Sequence, residues 1–135
     1  LLPFYKNQSF YISKKILIID DTDTDRKIVM RFLKKQGYDD IIFAENGEDG
    51  VKMAAAEHPD LVITDTNMPG IDGFETCRLI RAENGKDKPK IIVMTGAIDA
   101  VDAVKARKSG ADDYCVKTSD TTELMAAVKS LMGEA

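Results

Sequence analysis

Several residue types are scarce in this sequence, and each shortage narrows the range of possible functions. Apolar runs fall far short of the roughly 20 residues that span a bilayer, so no membrane insertion is expected. The two cysteines, Cys77 and Cys115, lack metal-ligand spacing and are expected to be free thiols in the core, which favours a reducing, cytoplasmic location. The single histidine, His58, precedes a proline at the expected end of a helix, so a surface position is predicted.

Positive charge is not in excess either. The 135 residues include 19 lysines and arginines against 23 aspartates and glutamates, which gives a net charge of -4. A basic segment of Lys86, Lys88 and Lys90 is interrupted by Asp87 and is typical of a solvated loop. Because phosphate contacts from a basic face supply most of the affinity of nucleic-acid binders, direct nucleic-acid binding by this chain is not expected.

What the sequence does have is a regular alternation of apolar runs and amphipathic stretches. Five short, mostly continuous apolar runs are typical of strands buried on both faces. These runs are Ile16–Ile19, Ile41–Phe43, Leu61–Ile63, Ile91–Met94 and Tyr114–Val116. Stretches with helical spacing separate the runs and follow the last one. The alternation predicts an α/β fold in which a five-stranded parallel sheet is doubly wound with five helices.

The helices differ in how clearly their ends are marked. Gly37 is a natural stop for the first helix. Glu48–Glu57 and Asp99–Ser109 are rich in alanine and have poorly defined apolar stripes. Asp120 and Glu123 have the spacing of a capping box, which predicts the start of the last helix.

Residues 14–133 are predicted to form the folded domain, and residues 1–13 an N-terminal extension. The extension contains four of the nine aromatic residues without a clear period, which favours a tag or an interdomain linker. The alternative is an arm that packs on the domain or on a second copy. Because the chain starts with Leu1, a segment cut from a longer protein is also expected.

Polar residues follow four of the predicted strands. Asp20 and Asp21 come after the first strand, Asp65 after the third, Thr95 after the fourth and Lys117 after the fifth. In an open parallel sheet, ligands bind outside the carboxyl ends of the strands. The sequence therefore predicts that three carboxylates, a hydroxyl and an ammonium meet at one rim.

This combination suits phosphoryl transfer. Three carboxylates in a partly desolvated cleft repel one another, and Mg²⁺, which prefers a few carboxylates plus retained waters, relieves that repulsion. A carboxylate can act as a nucleophile and form an acyl phosphate. A metal ion, a lysine and a hydroxyl together offset the charge on the transferred oxygens.

The same residues lie in segments that resemble the response-regulator receiver domain of two-component signalling, in its chemotaxis-regulator-like form. The matching segments are ILIIDD, VITDTNMPGIDG, IIVMTGA and GADDYCVK. The resemblance covers residues 14–133 and implies a flavodoxin-like sheet with strand order 2-1-3-4-5. It also implies a signalling phosphoacceptor that assists its own phosphorylation and dephosphorylation only, rather than an enzyme.

The resemblance further implies a role for each site residue. It makes Asp65 the phosphoacceptor, and Lys117 the partner of the phosphoryl group or of the acceptor. It assigns Asp20 and Asp21, together with Asp65 and the backbone carbonyl of Asn67, to Mg²⁺.

Two further residues match the switch of these domains. Thr95 matches the hydroxyl that turns inward when a phosphoryl oxygen appears. Tyr114 matches the aromatic residue whose ring follows that threonine.

The implied partners are a sensor histidine kinase or a histidine phosphotransfer protein upstream, and an effector protein or a tethered output domain downstream. Since His58 is the only histidine, a donor phosphohistidine is expected to belong to the partner. The surface expected to change consists of the fourth helix, the fifth strand and the fifth helix.

One departure from the family pattern and two alternatives stay open. Similar receivers usually carry a proline after the lysine, in a cis bond, whereas Thr118 follows Lys117 here. The departure motivates an alternative function as an interaction module that works without phosphorylation. A haloacid-dehalogenase-like phosphatase is the minor alternative, because Asp21 and Asp23 match its motif in part. An EF-hand calcium loop starting at Asp21 is excluded. Such a loop needs glycine at its sixth position and glutamate at its twelfth, and this sequence has arginine and phenylalanine there.

Overall fold

A computed structural model describes residues 12–96 and 100–133 of the chain. Most of the predicted N-terminal extension, residues 1–11, lies outside the described residues. The first strand begins at Ile12, four residues earlier than the apolar run that predicts it. The described helices include none long and apolar enough to cross a membrane.

Five parallel strands form one sheet in the order β2-β1-β3-β4-β5. Their bounds are Ile12–Ile19 (β1), Tyr38–Ala44 (β2), Leu61–Asp65 (β3), Lys90–Thr95 (β4) and Asp113–Val116 (β5). Five helices alternate with them: Asp23–Lys35 (α1), Gly47–Glu57 (α2), Gly73–Asn84 (α3), Ala100–Lys108 (α4) and Thr122–Met132 (α5). The predicted doubly wound α/β fold and the strand order implied by the resemblance are both confirmed.

The core is divided into two apolar layers by the sheet. Alternate residues of β1 point to opposite faces, as strand geometry requires. Ile16 and Ile18 pack with α1 and α5, whereas Leu17 and Ile19 pack with α2, α3 and α4. All four side chains are fully buried. The central strands are therefore held from both sides, which fixes the ends that carry polar residues.

The two edge strands are less buried than their apolar runs predict. Phe43 of β2 is 46% exposed, and its ring lies under the guanidinium of Arg26 at 4.8 Å. Asp39 and Asp40 extend the same strand and are exposed. An edge strand has a neighbour on one side only, so it tolerates polar residues that an inner strand excludes.

The starts of α2 and α3 have side-chain N-caps, whereas those of α1 and α5 have no side-chain cap hydrogen bond. Asn46 accepts a hydrogen bond from the backbone N–H of Asp49 at 2.7 Å, and Asp72 accepts one from Glu75 at 2.8 Å. The predicted capping box of α5 is wrong. The carboxylate of Glu123 accepts from the backbone N–H of Val116 at 3.3 Å instead of reaching back to Asp120.

Both cysteines are free and buried, as expected. Burial raises the pKa of the Cys77 thiol to about 11 and that of the Cys115 thiol to about 12. Thiols with such a high pKa stay protonated and are poor nucleophiles, so these residues serve as packing groups.

Candidate functional site

The register of the sheet brings the predicted residues to one rim. Ile19 of β1 pairs with Thr64 of β3, so that Asp20 and Asp65 follow side by side. Thr95 pairs with Val116, and Lys117 comes directly after that pair. The backbone N–H of Lys117 donates to the carbonyl oxygen of Thr95 at 2.7 Å, which ties the end of β5 to the end of β4.

Three carboxylates form a compact acidic cluster at this rim. Asp20, Asp21 and Asp65 each offer an oxygen atom, and these atoms all lie within 4.8 Å of one another. Asp20 is fully buried, Asp65 is 7% exposed and Asp21 is exposed. These hard oxygen donors, with the exposed Asp21 open to water, suit Mg²⁺, which binds oxygen ligands and retains several waters.

Backbone contacts orient the two buried carboxylates. One oxygen of Asp20 accepts from the N–H of Thr22 at 3.0 Å, and one oxygen of Asp65 accepts from the N–H of Thr66 at 2.9 Å. The guanidinium of Arg26, which is buried, donates to the backbone carbonyl of Asp20 at 2.7 Å. Each carboxylate thus has one oxygen held in place and presents the other to Lys117.

The Lys117 ammonium contacts three carboxylates. Its Nζ lies 3.0 Å from Asp20 Oδ2, 3.3 Å from Asp65 Oδ2 and 2.8 Å from Asp25 Oδ2. The shortest of these contacts, to Asp25, is not predicted from the sequence. Asp25 is the third residue of α1, where an acidic residue is ordinary because it faces the positive end of the helix dipole.

The environment shifts the pKa of Asp65 and of Lys117. Burial raises the pKa of the Asp65 carboxyl above its usual value; Lys117 opposes this rise and Asp20 adds to it. Burial lowers the pKa of the Lys117 ammonium, but its contacts with Asp25 and Asp20 and the charge of Asp65 raise that pKa more, so that it lies above its usual value. Lys117 is therefore a permanent cation beside Asp65.

Thr95 and Tyr114 share a face of the sheet. Val93 pairs with Tyr114, and Thr95 is two residues beyond Val93 on the same strand. Since paired neighbours and residues two apart point to the same face, both side chains lie on the side covered by α3 and α4. Thr95 is buried and Tyr114 is partly buried against the apolar layer on that side.

The loop after Asp65 is held close to the end of β3. Asn67 lies two residues beyond Asp65, at the exposed start of the segment that leads to α3. Gly73, the first residue of α3, donates its N–H to the carbonyl of Thr66 at 2.9 Å. A Cβ at Gly73 would overlap the carbonyl oxygen of Asp65. Only glycine permits this close approach between helix and strand.

The missing proline does not displace the lysine. Among the described residues, the cis peptide bond lies at Lys88–Pro89, and Lys117–Thr118 is trans. Lys117 nevertheless reaches the buried carboxylates. His58, at the carboxyl end of α2, is exposed as predicted.

Comparison with known proteins identifies the class to which this fold and site belong. The family model described as the response regulator receiver domain matches residues 16–129. The chain belongs to this family. The match favours a receiver over the phosphatase alternative.

One relative and two solved structures are similar to this chain in sequence or in fold. The transcriptional regulatory protein AfsQ1 of Streptomyces coelicolor is 39% identical over 117 residues, which are 87% of this chain and 50% of that protein. The chain thus spans about half the length of this relative.

The response regulator TrrA of Thermotoga maritima, solved in complex with Mg²⁺ and BeF, is 36% identical with a TM-score of 0.78; the match covers 87% of this chain and 98% of that one. A two-component response regulator from Clostridium difficile is 28% identical with a TM-score of 0.80; here the match covers 90% of this chain and 98% of that one.

Proposed function

We propose that this domain accepts a phosphoryl group on Asp65 from a phosphohistidine of a sensor histidine kinase or a histidine phosphotransfer protein. The observation that carries this proposal is the juxtaposition of the buried Asp65 carboxylate, two further carboxylates and the Lys117 ammonium. A nucleophile, a permanent cation and a set of hard oxygen ligands are the parts that phosphoryl transfer needs.

In the proposed reaction, a carboxylate oxygen of Asp65 attacks phosphorus and forms a new P–O bond. The P–N bond to the donor imidazole breaks, and its electron pair stays on the imidazole nitrogen. Lys117 stabilises the negative charge on the phosphoryl oxygens, because its Nζ lies 3.3 Å from the acceptor carboxylate.

Mg²⁺ would be held by Asp20, Asp21, Asp65 and the backbone carbonyl of Asn67. When bound, it supplies positive charge that offsets the repulsion between carboxylates and phosphoryl oxygens. The acidic cluster supports this assignment, and the complex of TrrA with Mg²⁺ and BeF supplies a precedent in a similar protein.

Phosphorylation would be read out through Thr95 and Tyr114. Their shared face supports a coupled movement in which the hydroxyl turns toward the phosphoryl group and the ring follows. The surface formed by α4, β5 and α5 would then favour an effector protein or a tethered output domain. AfsQ1 is named a transcriptional regulator and is twice as long as the matched region, which supports a tethered output domain.

The proposed receiver domain comprises residues 14–133, with residues 1–13 as an N-terminal extension whose last two residues, Ile12 and Ser13, begin β1. A cytoplasmic location is proposed because both thiols are free, as is typical of a reducing compartment.

Incubation with Mg²⁺ and acetyl phosphate, followed by intact mass measurement, tests the proposal. We expect the wild type to gain one acid-labile phosphoryl group, and Asp65→Asn to gain none. Asp87→Asn, an exposed loop residue, is the matched control and should behave as the wild type. Phosphorylation of Asp65→Asn would overturn the assignment. A wild type that neither gains phosphate nor changes its NMR spectrum with Mg²⁺ and beryllofluoride would favour the interaction module.

A further inference from the structure

The Lys117 ammonium is held unequally by its three carboxylate partners. Its contacts with Asp25 and Asp20 measure 2.8 and 3.0 Å, whereas the contact with Asp65 measures 3.3 Å. A lysine ammonium has three N–H donors, so all three contacts can exist together. Of the three contacts, the one with Asp25 has hydrogen-bond geometry, whereas those with Asp20 and Asp65 are ion pairs.

Asp25 differs from the other two partners in what else it can bind. Asp20 and Asp65 belong to the acidic cluster that fits a divalent cation, and Asp25 does not. A cation bound there would compete with Lys117 for carboxylate oxygens. Asp25, on the first turn of α1 and 38% exposed, remains available to the lysine alone.

A cavity adjoins the Lys117 side chain on the side that faces α1. Lys117 lines a cavity of about 290 Å³ together with Thr118 and Ser119, between α1 and the start of α5. The cavity leaves space next to the side chain, which is 25% exposed, so the ionic contacts contribute to the position of the ammonium.

We propose that Asp25 is a positioning residue, which keeps the Lys117 ammonium beside Asp65 when the acidic cluster binds its cation. This inference rests on the proposed function and adds a residue that the family resemblance does not assign. Asp25 acts through Lys117 and does not itself contact the acceptor carboxylate or the cation.

NMR of the lysine ammonium group tests the positioning directly. An ammonium ¹H–¹⁵N signal is visible when contacts protect its protons from exchange with water. We expect the Lys117 signal in the wild type with and without MgCl₂. In Asp25→Asn, we expect it without MgCl₂, because Asp20 and Asp65 still hold the nitrogen, and we expect it to disappear with MgCl₂. A signal in Asp25→Asn that survives MgCl₂, or a wild-type signal that does not, overturns the proposal.

Phosphorylation kinetics with acetyl phosphate and MgCl₂ give the second readout. Asp25→Asn should slow phosphorylation about fivefold, the effect of roughly 1 kcal/mol from a partly exposed ion pair. Asp25→Glu, which keeps the charge, should restore part of the rate. Asp23→Asn is the matched control, because it removes a charge from the same helical turn but pairs with Lys27 and Arg26. An equal loss in Asp23→Asn would assign the effect to the helix terminus and overturn the proposal.

The two readouts separate this inference from the function on which it rests. A wild type that shows the expected ammonium signals but gains no phosphate would refute the proposed function and leave the positioning intact. A wild type that is phosphorylated at the same rate as Asp25→Asn would refute the positioning and leave the function intact.

Discussion

At the scale of single residues, the Lys117 ammonium compensates the negative charge of two buried carboxylates, Asp20 and Asp65. The Asp20 carboxylate is fully buried and lies 3.0 Å from Lys117 Nζ. A buried charge that loses its partner keeps the full cost of desolvation. Lys117 is therefore expected to stabilise the fold as well as the phosphoryl group, as long as no other cation is present.

Replacement of Lys117 by methionine tests this stabilising role. The variant should still fold, but without divalent cations its free energy of unfolding should fall by about 1–3 kcal/mol, because Asp20 loses its ionic partner. MgCl₂ should recover most of the loss. Urea unfolding with EDTA and with MgCl₂ measures both. Lys27→Met, which removes an exposed lysine paired with Asp23, should change stability by less than about 0.5 kcal/mol.

The raised pKa of the Asp65 carboxyl makes the stability of the folded protein depend on pH. Its raised pKa means that the folded protein binds this proton more tightly than the unfolded chain does. The contribution of this tighter proton binding to the free energy of unfolding is therefore fully present below the ordinary pKa of about 3.9. It is lost as the pH rises through the raised pKa of the folded protein. In EDTA, Asp65→Asn should melt at a higher temperature than the wild type near about pH 7, and the difference should vanish below about pH 4. Equal melting temperatures at neutral pH would contradict this.

Asp60 supplies a control of opposite sign for that experiment. Burial raises the pKa of its carboxyl, but the hydrogen bond from the Lys15 backbone and the ion pair with Lys88 lower it more, so that it lies below the usual value. Its stabilising contribution is present above the ordinary pKa and is lost in acid. Asp60→Asn should therefore lower the melting temperature at neutral pH.

Most residues of the rim could be predicted from the sequence, and Asp25 could not. Asp20 and Lys117 directly follow strands and Asp65 is the last residue of one, so a parallel sheet must bring them to one rim whatever its loops do. Asp25 lies inside a helix, and its contact with Lys117 joins residues 92 positions apart. Such a contact depends on the rotation of α1 against the sheet, which hydrophobic spacing defines only coarsely.

At the scale of secondary structure, strand length was the least predictable property. β1 and β2 begin four and three residues before their apolar runs. Ile12 pairs with Tyr38 and the polar Lys15 with Asp40, with an irregularity in the register between these two pairs. The start of α5 also differs from its pattern. Its N-cap residue, Thr121, has a left-handed backbone with φ of 53°, which a capping-box motif does not indicate.

The contact between α3 and β3 gives a prediction at this scale. Gly73→Ala would place a methyl group against the backbone of Asp65 and Thr66, which cannot move as a flexible side chain does. We expect a loss of about 1–3 kcal/mol in unfolding free energy and slower phosphorylation, because the acceptor is displaced. Gly96→Ala is the control, since its added Cβ meets no described atom within 4 Å. Unchanged stability and rate in Gly73→Ala would contradict the account.

At the scale of the whole molecule, the doubly wound sheet explains why the functional residues are so far apart in the chain. Each inner strand is packed on both faces, so its carboxyl end is held rigidly where the polar residues begin. Apolar periodicity predicts the strands and helices but not the order in which the strands pair. The family resemblance implies that order. The hydrophobic pattern does not, because it is the same in any arrangement of the inner strands.

Chemical mapping of the phosphorylated residue tests the central claim most directly. The protein is phosphorylated with Mg²⁺ and acetyl phosphate, reduced with borohydride, which converts an aspartyl phosphate to homoserine, and digested for peptide mass spectrometry. The account predicts homoserine at position 65 and at no other aspartate. Homoserine at position 20, 21 or 25, or its absence from a fully folded protein, would contradict it.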